Sequence, residues 1–143
     1  MRSNCNGQGA CILVIKVKEN GTIIGGYNPY GWSYYDDNYY DYHGYNGELY
    51  YDDYDRAYYW NNTADSFIFS LDNGKDLKKF KISRVTNENY ALCETNYSLD
   101  FGNGDLIING TNGTCNQSYY ESNILDTNGF SIEEMEIFSF YQS

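Results

Sequence analysis

From residue 11 the chain reads CILVIKVK, in which β-branched apolar residues give way to Ile15 and Val17 alternating with Lys16 and Lys18. A period of two places the lysines toward solvent and predicts a strand. Glu19-Asn20-Gly21 follows, and Asn-Gly between two such runs is a strong hairpin signal. Thr22, Ile23 and Ile24 then begin the return strand, and Gly25-Gly26 reads as a backbone device, either a bulge or a close approach.

The same alternation resumes at SFIFSL, with Phe67, Phe69 and Leu71 on one face and Ser66, Ile68 and Ser70 on the other. Asp72-Asn73-Gly74-Lys75 is turn chemistry. In KKFKISRV, Phe80, Ile82 and Val85 are separated mostly by Lys79, Lys81 and Ser83, so the apolar members are expected inward. Short strands follow around Leu92 and in GDLIING (104–110); CNQSYYE is a weaker signal, and FSIEEMEIFSFY closes the chain as a final strand. No segment carries an apolar stripe at helical spacing. The reading is an all-β chain with at most minor helix, folded as a two-layer antiparallel sandwich. Trp32, Phe67, Phe69 and Phe138 are expected in its core.

Between the Trp32 position and the SFIFSL strand lies YYDDNYYDYHGYNGELYYDDYDRAYYW, from Tyr34 to Trp60. Residues 33–60 read as an inserted loop or an accessory hairpin, with Asn46-Gly47 as its turn. Tyr39, Tyr45 and Tyr51 would then share one face and are candidate partner contacts, since tyrosines spaced by Asp and Gly suit adaptable binding loops. The fold is expected not to need this segment, because closure entropy grows slowly with loop length.

At 143 residues the chain suits one domain, 1–143. Its formal charge of −11 disfavours nucleic acid and anionic membrane surfaces, both of which reward Lys and Arg. No stretch approaches the roughly 20 apolar residues of a membrane span, and the first apolar run is too interrupted by lysine for an export signal. The expectation is an intracellular, cytoplasmic protein, in which Cys5, Cys11, Cys93 and Cys115 are buried or idle thiols.

Catalytic chemistry is hard to assemble. His43 is the only histidine and sits inside the Tyr/Asp run, where an exposed loop residue is the simpler reading than a general base. Asp36-Asp37, Asp52-Asp53 and Glu133-Glu134 are adjacent acids of a solvated surface, not carboxylates held apart with split pKa values. An EF-hand register begun at Asp37 or Asp41 places Tyr39 or His43 at the third ligand position and fails. No catalytic residue, cofactor or metal is therefore expected. The alternative is a metal-binding or hydrolytic module built from the Asp-rich run and His43.

The strand motifs, taken in order, carry a resemblance. Val14-Ile15-Lys16, Gly25-Gly26, Trp32, the Ser66–Leu71 strand with Phe67 and Phe69, the Phe101-Gly102-Asn103-Gly104-Asp105 loop, and the closing strand with Glu134, Glu136 and Phe138 together resemble the TLDc domain of oxidation-resistance proteins. The resemblance implies a two-sheet sandwich, here lacking part of the usual N-terminal helical region. It also implies a non-enzymatic interaction domain, linked to oxidative-stress protection and to binding or regulating the vacuolar proton-pumping ATPase.

Overall fold

The first hairpin forms as the alternation predicts. The computed structural model describes residues 9–32, 49–51, 57–95 and 98–139, with side chains described outside 49–59. Strand β1 (Cys11–Val17) pairs antiparallel with β2 (Ile23–Asn28), and Gly21 takes a φ of +73° in the turn between them. Cys11, Leu13, Ile15 and Val17 point inward, all at most 2% exposed.

Nine more strands follow: β3 (Leu49–Tyr51), β4 (Ala57–Asn61), β5 (Phe67–Ser70), β6 (Lys81–Arg84), β7 (Leu92–Thr95), β8 (Leu99–Phe101), β9 (Leu106–Asn109), β10 (Asn112–Thr114) and β11 (Gly129–Ser139). They hydrogen-bond in the order β3-β4-β7-β8-β9-β10-β11-β1-β2-β5-β6, every pair antiparallel. Two single 3-10 turns, Leu77–Lys79 and Glu88–Tyr90, supply the helical content among the described residues.

Strand β11 joins two layers. Gly129, Phe130 and Ser131 pair with β10, whereas Ile132 onward pairs with β1. The register slips between Lys16 and Val17, leaving Glu133 as an extra residue on β11. Such a bulge bends and twists its strand, and it falls where β11 passes from one layer to the other. Lys16 Nζ holds the Glu133 carboxylate at 3.1 Å there. One core cluster fills the space between the layers, with Leu13, Ile15, Ile24 and Ile68 from one side and Leu92, Leu99, Phe101, Leu106 and Ile108 from the other.

Three expectations change. On β5 the core face carries Ser66, Ile68 and Ser70, while Phe67 and Phe69 lie half-buried on the outer face. On β6, Ser83 is fully buried and Ile82 is 55% exposed, the reverse of the expected alternation. Phe138, expected in the core, is 50% exposed. The cause lies in what covers this layer. Opposite β5 and β6 runs an irregular segment whose backbone polar groups need partners when buried. Ser83 Oγ donates to Ser122 O and accepts from Ser122 N, both at 2.9 Å. An apolar side chain at 83 would leave both groups unsatisfied, so small hydroxyls face inward and the register puts the larger residues outside.

The Tyr/Asp run also differs from a plain insertion. Its end supplies β3 and β4, and β4 pairs with β7 from Tyr58↔Thr95 to Asn61↔Leu92. These strands belong to the sheet, so removing residues 34–59 would take away β3 and the part of β4 that pairs with Glu94 and Thr95 of β7. β3 and β4 pair antiparallel, and both the residues between them, 52–56, and Asn46-Gly47 lie outside the described residues.

Candidate functional site

The glycine-rich loop after β8 shows what its residues do. Gly102 has φ +65°, a backbone conformation L residues rarely adopt, and a Cβ there would collide with the Asp105 carboxylate. Its N–H donates to Ala91 O at 2.8 Å. Gly104, at φ +106°, completes the turn, and its carbonyl accepts from Asn116 N at 2.8 Å. The loop thereby aims Asp105 inward, where the residue is 1% exposed.

Asp105 collects three successive amides from a distant segment. Its Oδ2 accepts from Ser118 N at 2.7 Å and Tyr120 N at 3.0 Å, and both oxygens accept from Tyr119 N at 3.0 and 3.1 Å. This anchors Tyr120, 1% exposed, whose hydroxyl donates to Ala91 O at 2.7 Å and lies 2.7 Å from Ser66 Oγ. Ser66 Oγ also lies 2.8 Å from Tyr27 O, so its one proton serves either that carbonyl or the phenol oxygen. The phenol accepts from or donates to groups on both layers, and burial pushes its pKa above that of a free tyrosine. Asp105, Tyr120 and Ser66 therefore form a buried polar pin between the two sheets, and Trp32 packs beside it edge-on to Phe101, with centroids 5.5 Å apart.

Gly25 and Gly26 are close-approach positions, not bulges. A Cβ on Gly25 would overlap the Leu13 carbonyl and stand 2.6 Å from Phe69 Cζ; one on Gly26 would stand 2.5–2.8 Å from the Phe101 ring. One glycine lets Phe69 lie across the outer face and the other lets Phe101 cross the core.

The remaining sequence candidates do not converge. Phe67, Phe69, Phe138 and the exposed Glu134 and Glu136 share the outer face of the β1 layer. Tyr39, Tyr45 and His43 lie outside the described residues, and Tyr51 is placed only by its backbone pairing with Ala57. Among the described residues no group of three or more His, Cys, Asp or Glu is arranged to hold a metal ion. Tyr120 was missed because it sits in a segment with little strand signal; its partners come from residues 54 and 29 positions away.

Two thiols are chemically quiet. Cys93 and Cys115 are buried and free, and desolvation holds Cys93 well above the usual range and pushes Cys115 up to about 12. A thiolate is the reactive form, so neither is activated. Cys11 departs from the expectation of a free thiol: it is disulfide-bonded.

Asp100, beside Cys93 on the neighbouring strand, has a buried Oδ1 with no hydrogen-bond partner, and burial raises its carboxyl pKa to about 7, partly opposed by a hydrogen bond from Ser98. The folded protein thus keeps this proton at pH values where the unfolded chain, near 3.8, has lost it. The stability contribution is complete below the unfolded value and disappears as pH rises through about 7. Asp100→Asn is expected to leave stability unchanged at pH 4 and to add on the order of 1–2 kcal/mol at pH 8, after allowance for water reaching a partly exposed residue. Urea midpoints at the two pH values check this; a variant with the same gain at both would refute it.

Outside the pin, the β1 layer exposes an apolar face. Phe138, Ile12, Tyr27 and Phe67 form one cross-strand row, and Val14, Gly25, Phe69 and Ile82 form the adjacent one. Tyr27 stacks on Phe67 at 5.5 Å. A shallow depression of about 260 Å³ opens between Val14, Ile23, Met135 and Phe138, with Lys16, Glu134 and Glu136 also in its lining.

Comparison with known proteins matches the TLDc domain family over residues 44–141. No curated protein matches the sequence. The matched range holds the Ser66 strand, the Gly102–Asp105 loop, Tyr120 and the closing strand, whereas the first hairpin and Trp32 precede it. No helix among the described residues is long and apolar enough to cross a membrane. With well over half of the chain matched and the pin residues inside the match, the chain belongs to the TLDc domain family.

Proposed function

We propose that this domain acts through protein contacts, not catalysis, and docks its partner on the outer face of the β11-β1-β2-β5-β6 layer. The observation that carries this reading is the pair of apolar rows on that face, where Ile82 is 55% and Phe138 50% exposed. Contiguous apolar surface left in water is costly and typically marks an interaction site. Family resemblance supports proton-pumping ATPase subunits as the partner and protection from oxidative stress as the role; the cytoplasmic location expected from the sequence stands against the Cys11 disulfide, which a reducing compartment disfavours. A direct antioxidant role through Cys93 or Cys115 is disfavoured by their burial and raised pKa values. The metal-dependent alternative rests on His43 and the Asp-rich run, outside the described residues.

The double variant Ile82→Glu, Phe138→Glu tests the assignment. Both side chains are about half exposed, so each change is expected to shift folding stability by no more than about 0.5 kcal/mol. Capture of proton-pump subunits by the domain is expected to fall at least tenfold. Undiminished capture would remove this face from the interaction, and absence of those subunits from the unsubstituted domain's capture would remove that partner.

A further inference from the structure

The chain is strongly acidic, yet one cleft is lined by cations. It opens at the end of the sandwich beside the β5–β6 connection, with a volume of about 470 Å³, and Lys78, Lys79 and Lys81 line it. All three are exposed, and among the described residues the one ion pair is Lys16 with Glu133, on a different surface. None of the three ammonium groups makes an ion pair with the cleft's own carboxylates, Asp72 and Asp126, and the lining carries three cations against two anions. Placing like charges together in one concavity is unfavourable without a counter-charge and raises the local concentration of anions.

The backbone that carries Lys78 and Lys79 is fixed. Asp76 caps the 3-10 turn Leu77–Lys79 by accepting from Lys78 N at 3.0 Å, and Lys79 N donates to Asp76 O at 3.0 Å. Asp72 sits at the base of the connection with φ +52°, its carbonyl accepting from Ile23 N at 2.7 Å. Ser70, 4% exposed, accepts from Asp72 N at 3.2 Å, so its own O–H remains for an occupant. Ile124, 2% exposed, forms an apolar patch on the wall.

We propose that this cleft binds a small phosphomonoester carried on a hydroxyl-bearing body, of the sugar-phosphate class. Three lysine ammonium groups supply point charges for a phosphate dianion. The volume exceeds that of a bare phosphate and lies in the range of small-molecule sites. Asp72 and Asp126 accept from the ligand's hydroxyls, and they disfavour longer polyanions by repulsion. The proposal does not depend on the outer face proposed for protein docking.

Glucose 6-phosphate, inorganic phosphate and glucose, at matched ionic strength, are the probes, read by isothermal titration and by melting temperature. Glucose 6-phosphate is expected to bind and raise the melting temperature, inorganic phosphate to bind at least tenfold more weakly, and glucose to have no effect. Lys79→Gln with Lys81→Gln is expected to weaken glucose 6-phosphate binding at least tenfold, whereas Lys75→Gln, a charge loss on the same connection outside the cleft lining, should change it less than twofold. No response to glucose 6-phosphate, an equal response to inorganic phosphate, or equal losses in the Lys75 and Lys79/Lys81 variants would each overturn the proposal.

Discussion

Asp105→Ala is expected to abolish cooperative folding at 37 °C, or to lower stability by about 3–5 kcal/mol where folding survives. The carboxylate serves the amides of Ser118, Tyr119 and Tyr120, and alanine leaves them without a partner. An unsatisfied buried group costs about 1–3 kcal/mol. Ser118 is exposed, so water can replace its bond, but the Tyr120 amide is buried. Against a total stability of roughly 5–15 kcal/mol the loss is a large fraction. Asp105→Asn keeps one acceptor and turns an NH2 toward the amides, so an intermediate loss of about 2 kcal/mol is expected. Urea unfolding followed by tyrosine fluorescence measures both. An alanine variant within 1 kcal/mol of the parent would mean the Ser118–Tyr120 segment is held by its other bonds, and the pin would lose its central role.

The second large effect is at the paired glycines. Gly25→Ala sets a methyl group against the Leu13 carbonyl, which is backbone and cannot rotate away. Gly26→Ala sets it against the Phe101 ring. Neither glycine has a positive φ, so the cost is steric. Overpacking of this kind typically costs about 1–3 kcal/mol, and more where backbone must move. We expect at least about 3 kcal/mol for Gly25→Ala and about 2–3 for Gly26→Ala. The two separate in a double-mutant cycle: Phe101→Leu should recover part of the Gly26→Ala loss, whereas Phe69→Leu should recover little of the Gly25→Ala loss. Equal rescue of both would show that β1 and β2 can spread apart, and that the carbonyl contact is not limiting.

The all-β class and the first hairpin were legible because their information is local. Lysines alternating with β-branched residues mark β1, and Asn20-Gly21 marks its turn, without reference to anything distant. The long closing strand was legible for the same reason, though its bulge at Glu133 was not, since a bulge is defined by the partner strand. Strands β3 and β4 were hidden in the Tyr/Asp run because tyrosine suits both a strand and a loop, and pairing with β7 decides between them. Strand β10 carries Asn112-Gly113-Thr114, poor strand residues, and exists because Gly113 lets the Phe130 ring lie across it.

What the amino-acid sequence determined by itself was the period of each strand, the places where the chain must turn, and the motif order that marks the family. Which face of β5 and β6 is buried was decided by the tertiary structure. Alternation states that two faces differ, but not which one meets the core, and the Ser122 backbone opposite Ser83 makes the polar face the inner one. The same holds for Asp105 and Tyr120, whose roles arise only when residues 13 to 54 positions apart in the chain are brought to hydrogen-bonding distance.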